Sequence, residues 1–418
     1  MTPNPMTPKK MREMLCVPMI GVPMIGVQTI VLAALLSACS GGGYLAPPPL
    51  PSTTLPSGAA LKPWVAGDQG LSKPEGMALA ADGRAWVTLT NLDANYAAAG
   101  PGMLAGVVPS TGATTLIDLA RSDAGVPPGS DAGVDEHACV NPGAVKSDEG
   151  LLLVACGGSY GASTGPGRAV VQVNPVNGSV AHSLAAPGGF QPYSLAGGPT
   201  KIWIGDTNTA SLASIERSSF ALADGADSAH PAIALPCTDA ADAYMYVSDL
   251  LVDGSDLFAL CSAEPDGYIV QLDATTGAVK GSAQLVGATP VAMALLSDGR
   301  IAVVNSVDET LALVTRGAAG PTVQRAVYTF AHGAALQDVK ARGMFVFTVS
   351  SGTNTVQKLD LSQTAQSKML VGEVNTGDSS YPYNIVPLDD DQAIVSNNGT
   401  GVLVGVKFTG SSRDGGAN

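Results

Sequence analysis

Charge is scarce in this chain. Asp, Glu, Lys and Arg make up 13% of its 418 residues, aromatic residues 5%, and histidine occurs four times. Such low charge beside 45% hydrophobic residues excludes a disordered polyelectrolyte. Basic residues are outnumbered, 21 against 35 acids, for a net charge of −14. No cationic surface is available to neutralise phosphates, so nucleic acid is excluded as a partner. His137, His182, His230 and His332 show no HExxH or related metal spacing, and no Gly-rich loop ends in the Lys of a phosphate cradle. What the chain has in excess is 50 Gly and 29 Pro, the two poorest helix residues. Long helices are therefore excluded, and short strands with frequent turns are expected.

The N-terminus reads as an address. Lys9, Lys10 and Arg12 precede an uncharged stretch from Cys16 to Ala38 whose most apolar part is Val31–Leu36, followed by Leu36-Ser37-Ala38-Cys39. Basic, apolar and small residues in that order form a secretory signal. The terminal Cys resembles the lipobox of bacterial lipoprotein precursors, which implies acylation of Cys39, a lipid bilayer as partner, and a place in the cell envelope. Ser40 rather than Asp after that Cys implies outer-membrane sorting. The competing reading is an uncleaved membrane anchor, interrupted by Pro18 and Pro23. Residues 39–58, rich in Gly, Ser and Pro, read as a solvated tether. Losing residues 1–38 removes three basic groups and one acid and leaves the mature chain at −16. Anionic lipid repels such a body, so the acyl chains alone would hold it. The folded body spans 59–410, and 411–418 read as a disordered tail.

Seven copies of one pattern follow. Two apolar runs joined by a Gly or Asp turn begin at Pro74, Pro142, Pro192, Val247, Pro290, Leu336 and Pro382, with successive starts 43 to 68 residues apart. Val-, Ile- and Leu-rich runs separated by Asp-Gly or Gly-Ser are hairpin strands. A third run follows, such as Tyr268–Asp273, closed by a polar turn such as Ala274–Gly277. One such sheet cannot bury both its faces, whereas seven stacked around an axis can. The expected fold is all-β, a seven-bladed β-propeller closed by an N-terminal strand pairing with the last blade. Leu61–Val65 is the segment expected to pair with Val402–Phe408. A barrel or a pair of sandwiches is the alternative. The repeats resemble YVTN- and NHL-type propellers over nearly the whole mature chain.

Setting aside Cys16 and Cys39, four cysteines remain, which in an exported protein suggests two disulfides with three possible connectivities. Cys156 and Cys261 fall in one column at the end of the second run, with Cys139 and Cys237 upstream of the first. Antiparallel pairing then predicts Cys139–Cys156 and Cys237–Cys261, each contributing roughly 3 kcal/mol.

Candidate chemistry sits where the first runs begin. The residue two positions in reads Gly76, Ala144, Ser194, Asp249, Ala292, Asp338 and Asn384. Glu75, Asp249, Asp338 and Asn384 would offer oxygen ligands to Ca²⁺ or another divalent cation. Gluconolactonase-like propellers hold a divalent metal with Glu, Asn and Asp from this region, so resemblance to them would imply a metal-dependent lactonase. The competing reading is that each acid caps a strand or binds a nearby amide. Ser194, Asp206, Asn208, Asn305 and Asn397, at strand ends, suggest a polar binding rim with few aromatics, or simply good turns. Gly157-Gly158-Ser159-Tyr160-Gly161 matches the hydrolase elbow in letters but leads toward a strand instead of a helix, so no catalytic role is assigned to Ser159. The insertion Arg121–His137 and the turn Asp389–Asp391 read as surface.

The resulting expectation is a lipid-anchored extracytoplasmic binding module for a polar ligand or a protein partner, with the metal-dependent hydrolase as the alternative. A third resemblance joins Gly267–Gly277 to repeats of the propeller lipoprotein of outer-membrane barrel assembly, without the Trp usual after that first Gly.

Overall fold

The computed structural model describes residues 52–62, 70–95, 97–119, 139–158, 167–225, 230–237 and 245–408. They form seven antiparallel sheets, six of four strands and one of five. The innermost strands are Pro74–Leu79, Pro142–Asp148, Pro192–Gly197, Tyr246–Asp253, Pro290–Leu295, Leu336–Arg342 and Pro382–Pro387. Each touches the next in chain order, and the last touches the first. The architecture is a closed seven-bladed β-propeller, with blades numbered here in that order. Among the described residues, helix is confined to a 3₁₀ turn at Gly58–Leu61 and one α-helical turn at Gln366–Met369.

The core explains the ring. Buried apolar residues fall into seven clusters, and each cluster straddles one boundary between neighbouring blades. Trp86, with Leu104 and Ile117 of blade 1, packs on Val145, Leu152 and Val171 of blade 2. Phe258 and Leu260 of blade 4 meet Met293 and Val303 of blade 5. No blade owns a complete core, which is why the pattern must repeat and close. Large side chains need matching gaps: a Cβ on Gly106 would come within 2.7 Å of the Trp86 ring. Trp203 of blade 3 is buried in the same manner and donates its indole N–H to the Ala274 carbonyl of blade 4 at 2.9 Å.

Closure differs from expectation in one respect. The strand completing blade 7 is Thr53–Thr54, paired with Val402 and Leu403 beside strands Val402–Lys407, Gln392–Asn397 and Pro382–Pro387. It lies upstream of Leu61–Val65 and within the stretch read as tether. Leu61 instead ends the 3₁₀ turn and is fully buried between blades 7 and 1. An apolar side chain plugging a core and an apolar strand look alike in sequence, while Thr-Thr among Pro and Ser carries little signal.

The disulfides are Cys139–Cys156 and Cys237–Cys261, as expected from the register. Each ties a segment upstream of an inner strand to the end of the second strand of blade 2 or blade 4.

Candidate functional site

Every inner strand breaks register with its neighbour at the same place. In blade 3 Pro192 pairs with Asp206 and Ser194 with Gly205, so Tyr193 has no partner. The same irregularity recurs in the other six blades. A bulge sets two residues against one and turns the strand. Two consecutive columns therefore line the axis. One contains Glu75, Tyr193, Ser248, Gln337 and Tyr383, the other Ser194, Asp249, Asp338 and Asn384, and all border an axial cavity of about 190 Å³.

The second column is largely spent on holding the ring together. Asp249 accepts from Lys146 Nζ at 3.0 Å and from the Met293 N–H of blade 5 at 3.0 Å. Asp338 accepts from Lys340 Nζ and from the Ile385 N–H of blade 7 at 3.1 Å. Ser194 donates to the Val247 carbonyl at 3.1 Å, and Asn384 donates its amide to the Glu75 carbonyl. Burial works against the charge on Lys146, but Asp249 and then Asp338 hold its pKa above the ordinary value. Two lysines and two aspartates thus neutralise each other inside the channel.

This arrangement does not fit a hard cation. The Asp249 and Asp338 oxygens are taken by ammonium groups and amide N–H groups, and Asn384 points its donor nitrogen at a carbonyl. Among the described residues no three His, Cys, Asp or Glu side chains gather in a metal-binding group. The acids act as the strand-capping alternative described. The expected rim is also mostly interior: Ser194, Asp206, Asn305 and Asn397 are 1%, 3%, 0% and 2% exposed. Asp206 accepts from the N–H groups of Gln191 and Asn208 and from the Thr209 hydroxyl. Asn305 donates to the Val286 carbonyl at 3.1 Å. Only Asn208 is exposed. Cys39, His137 and Ser159 lie outside the described residues.

Beside Glu75, the first column carries tyrosines that the sequence reading passed over. Tyr193 and Tyr383, from blades 3 and 7, share a hydrogen bond. Tyr246 of blade 4 meets Tyr193 edge to face, with ring centroids 6.1 Å apart. Tyr383, then burial, Tyr246 and Glu75 push the Tyr193 phenol well above its ordinary value, so it stays protonated. Glu75 borders the cavity and is half-buried, and burial lifts its carboxyl from 4.5 to about 7 despite the opposing pull of Lys73. Three phenols and one poised carboxyl therefore converge on a rim expected to have few aromatics. The available signal was the Pro-Tyr pair at 192–193 and 382–383, in the column beside the one read.

No protein-family model matches the sequence, and no curated protein sequence matches it. Solved structures do share the fold. Virginiamycin B lyase from Staphylococcus aureus is similar over 85% of this chain and 98% of its own, at 14% identity and a TM-score of 0.57. Hydrazine synthase from Kuenenia stuttgartiensis aligns over 83% of this chain and 99% of its own, at 12% identity and a TM-score of 0.59. The Cps50 (Swd1) β-propeller domain of Myceliophteria thermophila aligns over 82% of this chain and all of its own, at 12% identity and a TM-score of 0.57. At these identities the likeness establishes a β-propeller and carries no function across.

Proposed function

We propose that this chain is a lipid-anchored propeller of the bacterial cell envelope that binds a small polar ligand at its axial mouth. The observation that carries the reading is the convergence of Glu75, Tyr193, Tyr246 and Tyr383 on one cavity while the deeper Asp and Lys side chains satisfy each other. A recess with aromatic walls and a few convergent polar groups is the general form of a small-molecule site. Two disulfides support an oxidising compartment. Among the described residues no helix is long and apolar enough to cross a membrane, and anchorage is assigned to acylated Cys39 at the outer membrane. The metal-dependent hydrolase reading would require Asp249 and Asp338 to leave Lys146 and Lys340, so binding without catalysis is the reading we adopt.

Two experiments test it. Labelled palmitate enters the unsubstituted protein and is lost in Cys39→Ser; label surviving that change refutes the anchor. Thermal-shift screening with polar small molecules yields ligands that stabilise the protein and fail to stabilise Tyr383→Ala. Stabilisation that persists in that variant places the ligand elsewhere.

A further inference from the structure

A second lobe of about 270 Å³ adjoins the axial cavity and shares Glu75, Gly143, Tyr193 and Tyr246 with it. Asn141, Gln191 and Thr207 complete its polar wall. Among the described residues its wall has no Lys, Arg or His, and Glu75 is its one carboxylate. No described N–H or hydroxyl is hydrogen-bonded to that carboxylate. Asn141 is 5% exposed, and its side-chain oxygen has no hydrogen-bond partner among the described residues. The wall therefore carries one carboxylate and no positive charge.

Gly143 makes the room. A Cβ there would stand 3.9 Å from Glu75 Oε2 and 3.9 Å from Tyr193 Cδ2, so the missing side chain leaves a gap between the carboxylate and the ring. Beside that gap the rings of Tyr193 and Tyr246 are set at 86° to each other.

We propose that this lobe binds a small organic ammonium ion, seated between the Glu75 carboxylate and the rings of Tyr193 and Tyr246. The assignment rests on reading the mouth as a ligand site and names the chemistry it takes. A cation gains from the carboxylate and from the negative faces of the rings, and both attractions strengthen in a site withdrawn from water. A neutral polyol would leave the carboxylate uncompensated, and an anion would face it directly. The net charge of −14 attracts cations to the protein as a whole. Lys73 is the resident positive charge beside Glu75, but it does not offset the burial of that carboxyl.

Calorimetric titration of the full chain in detergent with choline, with its neutral carbon isostere 3,3-dimethyl-1-butanol, and with glucose tests the inference. Choline is expected to bind saturably and at least about tenfold more tightly than the isostere. Glu75→Gln should remove most of that preference. Gly143→Leu, which fills the gap while leaving Glu75 and both tyrosines unsubstituted, should abolish choline binding. Gly143→Ala, whose Cβ meets only ordinary contacts, controls for folding by its melting temperature. Equal affinity for choline and the isostere, choline binding that survives Gly143→Leu, or no choline binding at all overturns the assignment. If glucose binds in a Gly143→Leu-sensitive manner and choline does not, the ammonium assignment falls and the mouth remains a ligand site. If every probe fails, both readings fall.

Discussion

Replacing Glu75 by Gln should stabilise the protein, and only above mildly acidic pH. Burial lifts this carboxyl from 4.5 to about 7, so the folded state holds a proton that the unfolded chain has already released between those values. Where the native state binds more protons, stability falls as pH rises. Glu75 is therefore harmless below pH 4.5, increasingly destabilising through pH 7, and constant in its cost above that. At 1.36 kcal/mol per unit the shift sets a ceiling of about 3 kcal/mol, which water in the cavity lowers. Gln has the shape of the protonated acid and does not titrate. Urea melts at pH 4.5, 6 and 8, followed by fluorescence of the buried Trp86 and Trp203, should show the two proteins equal at pH 4.5 and the variant ahead by up to about 3 kcal/mol at pH 8. A difference that does not change with pH would refute the reasoning, because a packing effect does not titrate. Lys73→Met, which removes the opposing charge, should move the transition to higher pH.

Three further outcomes follow from the ring itself. Asp249→Ala strips the half-buried Lys146 of its nearest carboxylate and orphans the Met293 N–H, so a loss of about 2–4 kcal/mol in unfolding free energy from urea melts is expected. Lys146→Met combined with Asp249→Leu should recover most of it. Cys139→Ser should cost roughly 3 kcal/mol through the 17-residue loop and leave Cys237–Cys261 intact by mass counting of free thiols. Thr53→Pro with Thr54→Pro should cost about 1–2 kcal/mol and raise hydrogen exchange at Val402–Lys407, since Pro cannot donate to the ladder. Unchanged exchange there would mean that the closing strand carries no stability.

What could be read from sequence and what could not divide along a physical line. The ring was legible because burial enforces it seven times over: alternation in runs such as Pro290–Leu295 and Ile301–Asn305 is demanded by cores that each blade leaves half finished. The disulfides were legible for the same reason, since Cys156 and Cys261 occupy one column and pair backwards across a hairpin. Thr53–Thr54 was not, because two polar residues, one buried and one exposed, are too short a run to leave a pattern. The site was half legible. Asp249, Asp338 and Asn384 are on the axis, as the column of polar residues implied, but the column alone cannot tell a free carboxylate from one facing Lys146, which reaches Asp249 from the inner strand of blade 2, or Lys340, two residues from Asp338 on the same strand. Tyr193, Tyr383 and Glu75 sit one position earlier, where strict alternation would send them away from the axis. The bulge reverses that, because the extra residue in each inner strand lets two successive side chains face the channel. Alternation is a property of paired strands, and this mouth is built where pairing is broken, so the residues most available to a ligand are the ones that a period-two reading assigns to the wrong face.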